Sequence, residues 1–166
     1  MTDADGPLLD APVVAMSAVG AAAVAVATIA IPIPVGPGFL NFGEVVVYTI
    51  AFLFGDLIGG LAGGVGAAVA DVVLGYVWYA PITLVAKGSE GFVVGRLAGD
   101  SVRSKIVAVA LGAPFMIVTY VAATAVLYGA PAAVPELGAD ILQALVGLAV
   151  ALPLSQALQS RIPELQ

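Results

Sequence analysis

Charged residues are missing from three long stretches of this 166-residue chain: between Asp10 and Glu44, between Lys105 and Glu136, and between Asp140 and Arg161. A helix needs about 20 apolar residues to cross the hydrocarbon of a bilayer, and each gap can hold one. Charged residues make up only 10% of the chain, against about a quarter in soluble domains. Its mean hydropathy is +1.13. There are too few polar groups to coat a core in water, so the chain is expected to dissolve in a membrane.

The segment from Glu44 to Lys105 is more broken, with Asp56, Asp71, Lys87, Glu90 and Arg96 spaced through it. Three shorter or more polar spans are expected there. The whole reads as an all-α integral membrane protein, with six transmembrane helices in one compact bundle. They are expected at about 11–31, 42–54, 57–75, 81–97, 104–128 and 136–160. One membrane domain then covers 11–160, between an acidic tail over 1–10 and a short C-terminal tail over 161–166. The acidic start "MTDADGPLLDAP" does not resemble a cleaved signal peptide. Basic residues mark the cytoplasmic side of membrane proteins. Arg96, Arg103 and Lys105 surround one loop and Arg161 follows the last span, so both termini are expected in the cytoplasm of a multi-pass cell-membrane protein.

Several chemistries are excluded. There is no cysteine and no histidine, which removes thiol chemistry, the usual metal ligands and the usual general base; no metal and no cofactor are expected. A net charge of −6 argues against nucleic acid, which requires a basic surface. The glycine-rich "GDLIGGLAGGVGAAVAD" ends without the Lys-Ser/Thr of a phosphate loop. Asp56 and Asp71 lie roughly 22 Å apart at helical rise, too far to share a proton as an aspartyl pair. The chain is therefore read as a non-enzyme.

Small residues four apart let helices approach closely in lipid. Gly59 and Gly63, with Gly60 and Gly64, suit packing inside the bundle. Ala18 and Ala22 on the first helix suit either internal packing or an external partner.

Ionisable groups at membrane depth are functional candidates by default. Asn41, Glu44 and Tyr48 are spaced to share a helix face; Asp140 with Gln143, and Met116 with Tyr120 and Thr124, do the same on later spans. Lys87 and Glu90 lie one turn apart, with Lys87 placed to meet Asp71 either as a structural ion pair or as the charged floor of an outward cavity. Tyr76, Trp78 and Tyr79 in "GYVWYAP" suit an interfacial belt or stacking on a flat ring. The proline-rich "IPIPVGPG" reads as a lid.

The order "IPIPVGPGFLNFGE", "FGDLIGGLAGGVGAAVADVVLGY", "WYAPITLVAKGSEG", "PFMIVTY" and "PELGADILQALVG" resembles the S component, or substrate-binding subunit, of energy-coupling factor (ECF) vitamin transporters. The riboflavin/hydroxymethylpyrimidine-type group is the nearest in pattern, over about residues 15–155. The resemblance implies a six-helix subunit of an ABC-type importer that binds a vitamin or precursor at its outer side. It further implies docking on a membrane T component driven by two ATPase subunits. Ala18 and Ala22 would be the T-component contact, and Asn41, Glu44, Lys87, Glu90, Asp140 and Gln143 would surround the substrate. Glu44 stands where family members often have aspartate, and Asp140 where they often have asparagine. A stand-alone carrier or structural membrane protein is the alternative reading, with an intramembrane enzyme behind it.

Overall fold

The computed structural model describes residues 10–161; nearly all of the two expected tails lies outside the described residues. Helix α1 (Ala11–Ala30) leads into a short antiparallel pair, β1 (Ile33–Val35) and β2 (Gly38–Leu40). Then come α2 (Gly43–Leu74), α3 (Ala80–Leu97), α4 (Val102–Tyr128) and α5 (Ala130–Arg161).

The six expected helices are thus corrected to five helical elements. The expected second and third form one element, α2, interrupted only at Gly55, whose φ of 81° and ψ of −164° are not helical. No loop separates them, because glycine alone reverses the chain. Across that point the two arms fold back on each other: a Cβ at Gly59 would lie 2.9 Å from the Cβ of Ala51, and one at Gly63 would lie 3.1 Å from Val47 Cγ1. Four helices, α1, α2, α4 and α5, are long and apolar enough to cross a membrane. Helix α3, with Lys87, Glu90 and Arg96 in 18 residues, falls below that standard.

Termini are fixed locally. The Asp10 side chain accepts from the Val13 N–H and Ser101 from the Ser104 N–H, satisfying first-turn donors of α1 and α4. Gly75, in the left-handed region, closes α2 by donating to the carbonyls of Asp71 and Val72.

Packing relies on small residues, as expected in lipid, where apolar side chains gain nothing by leaving their surroundings. The second arm of α2 meets α3 backbone to backbone: a Cβ at Gly91 would stand 2.4 Å from the Gly59 carbonyl oxygen, and one at Gly60 would stand 3.0 Å from that of Gly88. Helix α1 sits against both arms, its Gly20 meeting Ala62 and Ile50, and α5 packs against the first arm through Gly147. Polarity is inverted relative to a soluble protein. Glu44, Lys87, Glu90 and Lys105 are buried, while Val19, Val26, Val118 and Val126 are exposed. An apolar exterior around a charged interior is stable only where the surroundings are hydrocarbon.

The Gly55 turn yields a first prediction. A side chain there meets nothing within 4 Å, so Gly55→Ala tests backbone conformation alone. It should cost about 1–3 kcal/mol, seen as a lowered thermal midpoint of the detergent-purified protein. An unchanged midpoint would mean that the turn does not need glycine.

Candidate substrate site

One end of the bundle gathers polar side chains from every element. The C-terminal part of α1 brings Thr28 and the start of α2 brings Asn41 and Gly43. The end of α2 brings Asp71, the start of α3 brings Thr83 and Lys87, α4 brings Tyr120, and α5 brings Glu136, Asp140 and Gln143. Phe39 of β2, Tyr76 and Tyr79 complete a cavity of about 50 Å³. The β1–β2 pair turns at Gly36 and rests on α5, where Gly36 adjoins Pro135 and Gly38 adjoins the Glu136 carboxylate. The stretch expected as a lid loop is therefore a small hairpin over the cavity mouth.

Behind the cavity runs a continuous buried network. The Asn41 backbone N–H donates to Gln143 Oε1 at 3.1 Å, and the Gln143 amide donates to Glu44 Oε2 at 3.2 Å. That oxygen receives the Lys87 ammonium, which also reaches Glu90 Oε2 at 3.3 Å and the Met116 sulfur. Tyr48 donates to Glu90 Oε1 at 2.7 Å. The first arm of α2, α3, α4 and α5 are tied together through Lys87. A second chain runs beside it: Tyr120 donates to the Thr83 hydroxyl at 3.0 Å, and Thr83 donates to Asp71 Oδ2. Tyr79 and Thr124 share a hydrogen bond of 2.9 Å.

Of the residues singled out in the sequence, Asn41, Tyr79, Lys87, Tyr120, Asp140 and Gln143 line the cavity, and Glu44, Tyr48, Glu90 and Met116 support it from behind. Lys87 pairs with Glu90, as its spacing allowed, and with Glu44, which the hairpin at Gly55 brings within reach; among the described residues it makes no ion pair with Asp71, though both line the cavity. Trp78 is 86% exposed and does not line the cavity. Tyr76 and Tyr79 close one turn through a Tyr79 N–H to Tyr76 carbonyl bond, so these two face the cavity and Trp78 does not. Accordingly Trp78→Ala should change ligand affinity less than about twofold, whereas a loss of tenfold in a binding titration would put the indole back at the site.

Thr28, Phe39, Thr83 and Glu136 were not among the expected site residues, whereas Tyr76 was expected only as one of the loop aromatics. Glu136 had a signal. It lies four residues before Asp140 and so on the same helix face, but the expected helix began at Glu136, whereas α5 begins at Ala130.

Residues 11–160 match a family described as the ECF-type riboflavin transporter, S component. The chain belongs to the ECF S-component family. It is also similar to an uncharacterized protein of Pyrococcus woesei, 43% identical over 134 residues that cover 80% of this chain and 90% of that one. This S component is a multi-pass membrane protein and a substrate-binding subunit of an ECF transporter. Its polar cavity end is the candidate substrate site, and its family implies work alongside T and ATPase subunits. The opposite end of the S component holds Asp56 paired with Arg96 at 3.3 Å, and Lys105 beside Ser155.

Proposed function

We propose that this S component captures a vitamin or vitamin precursor with a flat flavin- or pyrimidine-like ring from outside the cell. It then passes the cargo inward through a membrane T component energised by two ATPase subunits. The observation that carries this reading is the convergence of every helix on one aromatic and polar cavity beneath the β hairpin. Aromatic rings there suit a flat heterocycle, and the amide and carboxylate groups suit its ring nitrogens and substituents.

Orientation follows from the basic residues. Arg96, Arg103, Lys105 and Arg161 lie at the end remote from the cavity, which makes that end cytoplasmic. Helices α1 and α5 then leave both termini inside. Ala18 and Ala22 are exposed on the outer face of α1 while Ser17, Gly20 and Val24 face the bundle; we assign this face to the T component.

The test is mass spectrometry of small molecules released on denaturing the purified protein, paired with uptake of the molecule found in cells that supply the T and ATPase subunits. A stoichiometric heterocycle that is also taken up supports the reading. Release of nothing, with no uptake, would overturn it.

A further inference from the structure

The charge balance of the site does not close within the chain. Asp71 of α2 and Glu136 and Asp140 of α5 line it, with Glu44 of α2 and Glu90 of α3 behind them, whereas α1, the hairpin and α4 present no acidic group. The only base among them is Lys87, and it is already paired with Glu44 and Glu90. Asp71 is held by the Thr83 hydroxyl. Glu136 and Asp140, one turn apart on α5, line the cavity with no basic partner among the described residues.

A second observation is independent of that count. Asp140 is 6% exposed and Thr28 3% exposed, both line the cavity, and Asp140 Oδ2 and Thr28 Oγ1 have no hydrogen-bond partner among the described residues. Glu44 Oε1, just behind, has none either. Buried polar atoms are almost always satisfied, and an uncompensated buried carboxylate is costly. Unpartnered polar atoms on two residues that line one cavity mark where a ligand's polar groups belong. No group of three His, Cys, Asp or Glu among the described residues is arranged to hold a metal ion. Phe39, Tyr76, Tyr79 and Tyr120 line the cavity, and aromatic rings attract organic cations.

Resting on the binding-subunit reading above, we infer that the cargo is a cationic nitrogen heterocycle, its positive charge or protonated amine seated against Asp140 and Glu136 and its ring against the tyrosines.

The experiment uses the purified full chain in nanodiscs, with thiamine (a cation), riboflavin (neutral) and biotin (an anion) as probes, and mass spectrometry of any co-purified molecule. A cationic ligand should bind, or be the molecule released. Asp140→Asn should weaken it at least tenfold; if that variant does not fold, Glu136→Gln gives the same readout. A neutral or anionic ligand as the preferred one, or cation binding unchanged in the folded variant, overturns the inference and leaves the binding-subunit reading standing. Failure to bind or release any small molecule overturns both.

Discussion

Lys87→Met is expected to lower the thermal midpoint sharply and to abolish ligand binding. The substitution keeps a long apolar side chain but removes the charge between Glu44 and Glu90, which are 1% and 0% exposed. Breaking a buried ion pair from one side costs about 3–5 kcal/mol, or on the order of 10 °C for a chain of this size. The decisive comparison is the triple variant that adds Glu44→Gln and Glu90→Gln. It removes both orphaned charges and should recover most of the lost stability without recovering binding, because the network that braces the cavity from behind is still broken. A single Lys87→Met variant that melts with the wild type would show that Glu44 and Glu90 do not depend on the lysine. A triple variant that binds ligand normally would remove Lys87 from the site.

The second large effect is expected on the far side of the molecule. Ala18→Trp with Ala22→Trp places two indoles on the exposed face of α1, away from Gly20 and Val24, which pack inward. Ligand binding and thermal midpoint should stay close to wild type, while uptake in cells supplying the T and ATPase subunits falls by more than about tenfold, the scale of 1.4 kcal/mol or more in partner affinity. Undiminished uptake would remove this face from the partner contact. Lost binding in the purified variant would mean instead that α1 packs internally at these positions.

Much of the helical framework was readable because hydrocarbon imposes a simple rule on sequence. Charge-free gaps marked α1, α4 and α5, and the ends of α3 and α4 came within two residues of expectation. The glycines of α2 also read correctly as packing positions, since only close approach in lipid explains Gly59 and Gly63 at that spacing. Gly55 was not readable in the same way. Nothing in "LFGDL" distinguishes a glycine that reverses the chain from one that lets a neighbour approach, and the two helices were expected to be separated by a short break. At the site, helical spacing grouped Asn41 with Glu44 and Asp140 with Gln143, but it could not choose Lys87's partner. That choice depends on how the arms of α2 sit together, a long-range property. Trp78 misled because an aromatic residue in a loop carries no record of which way the turn points.

The single-residue reversal at Gly55 also bears on how the protein enters the membrane. The first arm, from Gly43 to Phe54, is roughly 18 Å long at helical rise, well short of the ~30 Å of hydrocarbon. It also carries Glu44 at its leading end. Such a segment has little reason to partition into lipid alone while the ribosome is still extending the chain. Its glycine-faced companion follows directly across Gly55, so the two arms are placed to enter the membrane together as one hairpin. The carboxylate that later braces Lys87 would then be carried into the bilayer by its neighbour, and the order of synthesis becomes part of how the cavity is built.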